Sequence, residues 1–184
     1  MQGDKYLIIE GVQKLDGEET VNLEHKQGEV WLVDFWATWC PPCQAPMAHN
    51  QHMLLHKATE WGDKVKILGL SIDGDKAKLK SHVEAKGWTK VDHYFIGGAE
   101  KCKNDYGISG VPHVLLVDTN GKIVFKGHPA SRPNLEEDFD KLLKGETLEG
   151  IKSGSNDDEE EPEASMNVDL ETAISEMEIN KEIL

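Results

Sequence analysis

With 184 residues, 38% of them hydrophobic, the chain is long enough to bury one sizeable core and to carry an appendage. Its formal charge of −14 is uneven: from 153 to 184 eleven acidic residues face a single Lys181, so the tail holds −10 and the body −4. That balance disfavours nucleic acid and anionic membrane surfaces as partners, and no apolar run nears the roughly 18 residues of a spanning helix.

In chain order, 6–12 (YLIIEGV) and 21–23 read as short strands about an Asp16-Gly17 turn. After the turn Gln27-Gly28-Glu29 comes Val30-Trp31-Leu32-Val33-Asp34-Phe35-Trp36. This run is rich in β-branched and aromatic residues and has the length of a buried strand. It passes through Ala37-Thr38-Trp39 into Cys40-Pro41-Pro42-Cys43. A helical pattern over 42–61 puts Met47, Leu54, Ala58 and Trp61 on one face, with Pro46 inside it as a source of a kink. Residues 65–72 (VKILGLSI) read as a second buried strand. Asp73-Gly74-Asp75 turns and caps a helix over 76–86, which Gly87 closes. A weaker strand over 91–96, a short helix over 100–106 and the loop Gly107-Ile108-Ser109-Gly110 follow. Pro112 opens a strand over 113–117, Asp118-Thr119-Asn120-Gly121 makes a hairpin turn, and 122–126 returns antiparallel. Asn134 is expected to cap a helix over 135–143 whose Leu135, Phe139, Leu142 and Leu143 face the core. The order predicts an α/β domain with the cysteine pair at the C-terminal end of a central parallel strand, where sites of open α/β sheets collect.

Strand, Cys-x-x-Cys, helix is the arrangement in which a dithiol does redox chemistry. Two intervening residues at the first turn of a helix bring both sulfurs to one helix end, within the Cα separation of about 7 Å that a disulfide allows. The unpaired N–H groups and partial positive charge of that end favour a thiolate on the first cysteine. Pro41 and Pro42 fit because early helical positions need no N–H partner. A structural disulfide or half of a zinc site are the competing readings. Zinc needs two further ligands at matching spacing, and Cys102 is the only other cysteine. No metal or cofactor is implied.

From 34 to 43 (DFWATWCPPC), with Gly110-Val111-Pro112 and Asp118-Thr119-Asn120-Gly121-Lys122, the chain resembles the thioredoxin superfamily. The Pro-Pro dipeptide, the insert over about 73–96 and the N-terminal hairpin resemble its TlpA/ResA-like and nucleoredoxin/tryparedoxin-like branches more than the small general thioredoxins. The resemblance covers roughly 21–148. It implies a thioredoxin-like fold, a central mixed sheet flanked by helices, over 1–150. It also implies thiol-disulfide exchange, with Cys40 as nucleophile at the exposed edge of the helix and Cys43 as the resolving thiol of a redox-active disulfide. Asp34 resembles the family's buried aspartate beneath the second cysteine. An acid in an apolar strand has a raised pKa, and such a group can take the proton from Cys43; a solvent-facing Asp on an edge strand is the plainer alternative. Val111-Pro112 resembles the cis-proline loop that pairs with the client chain, against an ordinary trans proline at a strand start. Trp39 and Pro41 are expected to border the client groove with Val111 and Pro112, while Trp36 flanks the site or belongs to the core. The resemblance departs at His113, where the family often has Thr.

The partners so implied are client protein disulfides and, as electron donor, an NADPH-linked reductase or a glutathione system. Residues 1–6 show no basic n-region and no apolar core of a signal peptide, so the expected compartment is the cytoplasm, where dithiols are more often catalytic than structural. His49, His52 and His56 share one helix face, read as a solvated surface more than a metal site. His113 is a packed strand histidine or a group tuning Cys40. Cys102, between Lys101 and Lys103, is a helix cysteine or a regulatory thiol. The tail reads as an acidic linker, 151–166, and an amphipathic helix, 167–184, with a possible protein partner. The leading expectation is a protein-disulfide reductase. A binding or assembly subunit that docks through its tail is the alternative. A thiol peroxidase is weaker, because no Pro-x-x-x-Thr-x-x-Cys setting is present.

Overall fold

In the computed structural model, residues 8–97, 100, 103–104 and 107–148 are described. The chain divides into two units, Met1–Leu148 and Glu149–Leu184. The expected linker and tail helix, and Cys102, lie outside the described residues, as does most of the short helix expected over 100–106.

The first unit is built on a seven-stranded sheet of order β2-β1-β5-β4-β3-β6-β7. Its strands are β1 (Ile8–Lys14), β2 (Thr20–Glu24), β3 (Val30–Trp36), β4 (Val65–Ser71), β5 (Asp92–Phe95), β6 (His113–Val117) and β7 (Ile123–Gly127). β3, β4 and β5 run parallel at the centre. Antiparallel pairs flank them: β3–β6–β7 on one side and β5–β1–β2 on the other. Every residue of β3 is buried, as a strand with neighbours on both edges and layers on both faces must be. The chain is therefore a mixed sheet with helices, and its organising strand is central, as expected.

The helices are α1 (Pro41–His56), α2 (Ala58–Trp61), α3 (Lys76–Lys86) and α4 (Leu135–Leu143). Three expectations about them are corrected. The helix expected to run to Trp61 breaks at Lys57, which leaves helical backbone at φ −106° and ψ 17°. The break shifts the helical phase between α1 and α2, so Ala58 is exposed, and Leu54, within α1, is only half-buried. The buried face of α1 is instead Cys43, Met47, Asn50, Gln51 and Met53. Pro46 lies inside α1, ahead of the break. Asn134 stands at the N-cap of α4 but makes no side-chain capping bond, and Leu143 is half-buried rather than core. Asp75, by contrast, caps α3 through bonds from the Ala77 and Lys78 N–H groups. Gly87 closes the same helix at φ 74°, the left-handed conformation glycine adopts without a Cβ penalty.

The expected hairpin is present. Asp118 Oδ1 accepts from the Asn120 and Lys122 N–H groups, holding the turn between β6 and β7. No helix among the described residues is long and apolar enough to cross a membrane.

Candidate active site

β3 delivers the chain to the C-terminal edge of the sheet, and α1 begins a few residues later with Cys40 as its N-cap. The two prolines fill the first positions of the helix, where no N–H is needed. Cys40 and Cys43 are joined as a disulfide with Cα atoms 5.3 Å apart. A turn holds the pair: Cys40 N–H donates to Ala37 O and Cys43 N–H to Cys40 O. Both sulfurs thus sit at the N-terminus of α1, where unpaired N–H groups favour negative charge.

The resemblance places Cys40 at an exposed edge, but the residue is only 4% exposed. The loop carrying Val111-Pro112 packs against it, with Cys40 Sγ 3.8 Å from Val111 O. The Val111–Pro112 bond is cis, as the resemblance implies. Around this covered sulfur, Trp39 stands out at 60% exposed. Pro41 is exposed, Val111 half-buried and Pro112 buried. Trp39, Pro41 and the Val111-Pro112 loop therefore give the dithiol end of the molecule a part-apolar surface.

Asp34 is 1% exposed, on the central strand between Gly69 of β4 and Val114 of β6. Its Oδ2 accepts from Asn50 Nδ2 at 2.8 Å, while Oδ1 has no partner. Burial pushes this carboxyl up to about 7, and the Asn50 bond opposes the rise in part. Asn50 lies two helical turns beyond Cys43 and so shares its face of α1. Cys43, Met47 and Asn50 form one buried stripe of α1, and Asn50 joins it to Asp34. The arrangement supplies a nucleophile, a second thiol and a buried acid able to hold a proton near neutral pH.

The residues missed in the sequence are those that fix the loop before Cys40. Asp73 is buried just past β4. Its carboxylate accepts from Thr38 N–H at 3.2 and 3.1 Å, from Thr38 Oγ1 at 2.7 Å and from Ser71 Oγ. The signal was present: an acid at the C-terminal end of a buried strand, beside the strand that carries the dithiol. Gln44 donates from Nε2 to the carbonyls of Cys40, Ala37 and Thr38 at 2.8, 3.3 and 3.4 Å. That pairing had no sequence signature.

Trp36 is core, packed among His82, Trp88 and His93 with ring centroids 5.8–5.9 Å apart. His113 pairs across the sheet with Phe35, and its ring lies edge-on to the Phe35 ring. Burial, Lys126 and His128 push its imidazole down to about 4, so it is neutral at pH 7. His49, His52 and His56 are exposed, with the rings of the last two stacked at 5.6 Å. Among the described residues no three His, Cys, Asp or Glu side chains group to hold a metal ion.

A family model described as thioredoxin-like matches residues 28–123. The thiol:disulfide interchange protein DsbE of Vibrio cholerae is 32% identical over 100 residues, 54% of this chain and 50% of that protein. The thiol-disulfide oxidoreductase ResA of Oceanobacillus iheyensis is 31% identical over 108 residues, 58% of this chain and 53% of that protein. The chain thus spans about half the length of these curated relatives. Among solved structures, a candidate protein disulfide isomerase from Bacteroides thetaiotaomicron superposes with a TM-score of 0.63 at 21% identity, covering 78% of this chain and 91% of that one. At that identity the superposition shows the fold alone.

Proposed function

The chain belongs to the thioredoxin-like family, and from that premise we propose that it is a thiol-disulfide oxidoreductase that reduces protein disulfides. The observation that carries the proposal is the Cys40–Cys43 pair at the N-terminus of α1, at the C-terminal end of the strand that carries the buried carboxyl of Asp34. The names of DsbE and ResA support the same chemistry.

In the reaction, the Cys40 thiolate attacks one sulfur of a client disulfide. A Cys40–client bond forms, and the other client sulfur leaves as a thiolate that takes up a proton. Cys43 passes its proton to the Asp34 carboxylate and attacks Cys40 Sγ. The mixed disulfide breaks, its client sulfur leaves as a thiolate that takes up the proton held by Asp34, the client departs as a dithiol, and the enzyme is left with the Cys40–Cys43 disulfide seen in the structure. An electron donor, either an NADPH-linked reductase or a glutathione system, then restores the pair.

Reduction as the direction, the cytoplasm as the setting, and Trp39, Pro41 and the Val111-Pro112 loop as the client contacts belong to the same proposal. Cys43→Ser tests the mechanism. It removes the resolving thiol, so clients are expected to accumulate on Cys40 as mixed disulfides, visible on non-reducing gels and released by dithiothreitol. A Cys43→Ser chain that captures nothing, under conditions where a Cys40→Ser control also captures nothing, contradicts it.

A further inference from the structure

The insert helix α3 reaches back to the dithiol through one side chain. His82 Nε2 lies 2.8 Å from Gln44 Oε1. The other end of the same amide faces three carbonyl oxygens, those of Ala37, Thr38 and Cys40. Only an NH₂ group can face carbonyls, so the Gln44 amide has one orientation and its oxygen must point at His82. An amide oxygen only accepts, so His82 Nε2 carries a proton and donates. The result is a directed chain: His82 N–H to Gln44 C=O, then Gln44 N–H to Cys40 C=O. That last carbonyl also accepts from Cys43 N–H.

We propose that His82 is a positioning residue for the dithiol, bracing through Gln44 the loop that seats Cys40 at the end of α1. The proposal rests on the oxidoreductase reading and deepens it. His82 is held in place by the rings of Trp36 and Trp88, 5.9 and 5.6 Å from its own. Burial keeps its imidazole below the ordinary histidine range; Lys86, on the same helix, adds to this, while Asp73, from the turn before α3, favours the charged form. The brace survives in both protonation states, because Nε2 donates in each. The two clamps on that loop are then complementary: Asp73 holds the amide and hydroxyl of Thr38, and His82–Gln44 holds the carbonyls.

The test reads the ionisation of Cys40 in the full chain carrying Cys43→Ser and Cys102→Ser, which leaves Cys40 as its single thiol. Thiolate absorbance near 240 nm is followed from pH 4 to 9. His82→Leu is expected to lower the acid ionisation constant of Cys40 roughly threefold, the scale of one net hydrogen bond. Gln44→Leu is expected to do the same, and the double variant no more than either, because the two act in one chain. His82→Gln keeps an N–H donor and no titrating group. It is expected to hold the Cys40 transition near that of the unsubstituted side chain. Additive effects of His82→Leu and Gln44→Leu, or a Cys40 titration unmoved by His82→Leu while the thermal midpoint falls, overturn the proposal. So does a Cys40 titration moved as far by His82→Gln as by His82→Leu. The measurement needs no client, so it stands or falls apart from the trapping experiment on Cys43→Ser.

Discussion

Two buried aspartates stand at the dithiol end of the sheet, and they differ in the donors that reach them. Asp73, at the rim, has its carboxylate taken up by the Thr38 amide, the Thr38 hydroxyl and the Ser71 hydroxyl. Asp34, at the floor, has one donor, Asn50, and a bare second oxygen. A buried carboxylate with three donors is a fixed anchor. One with a single donor is pushed toward its neutral form, and burial raises it to about 7. Burial is nearly equal in the two, and the number of donors separates them.

The sharpest way to break this comparison is to remove the charge from the floor. Asp34 has a folded value of about 7 against an ordinary 3.8. Below pH 3.8 both folded and unfolded states hold the proton, and Asp34 costs the fold nothing. As pH rises the unfolded chain releases it first, and stability is lost until the folded carboxyl also ionises near 7. Asp34→Asn cannot ionise and escapes this. Its stability relative to the parent is expected to improve by about 4 kcal/mol between pH 3.5 and pH 8, read from urea unfolding at each pH. The same variant is expected to slow closure of the mixed disulfide by about a hundredfold at pH 7, since the proton acceptor is gone. A stability difference flat in pH would show that Asp34 titrates at its ordinary value in the folded chain.

Removing the clamp is the next largest effect. Asp73→Ala leaves the Thr38 N–H, the Thr38 hydroxyl and the Ser71 hydroxyl without their acceptor. It is expected to cost about 2–3 kcal/mol in chemical denaturation. A cost under about 0.5 kcal/mol would mean that the rim does not need its anchor.

The smallest change makes the floor more extreme. Asn50→Leu takes away the single hydrogen bond that opposes the rise of Asp34. The pH at which disulfide closure reaches half its maximum is expected to move up by about one unit. A profile that stays in place would put the controlling proton on another group.

The sequence made some of this visible and hid the rest for physical reasons. The β3 run, the turn at Asp118 and the cysteine pair were legible because each is a local pattern: continuous burial, turn chemistry, fixed spacing. The cis bond at Pro112 came from resemblance alone. The face of α1 escapes apolar periodicity because its buried stripe contains the polar residues Asn50 and Gln51. Both are satisfied across the chain, Asn50 by Asp34 and Gln51 by the Lys90 N–H. Asn134 shows the reverse error: a residue suited to capping stands at the cap position, and its side chain makes no capping bond. Gln44 and His82 are 38 residues apart and meet only because α3 packs beside the start of α1; no local rule foretells that.

The central claim is that Cys40 and Cys43 form a reducing redox pair. It is tested most directly by the reduction potential of the full chain in glutathione buffers, with the oxidised fraction read by alkylation and mass. A value near about −270 mV, that of a thioredoxin, is the expected result and fits a reductant fed by a dithiol-linked donor. A value near about −120 mV, or a pair that never forms a disulfide in any buffer, would contradict it.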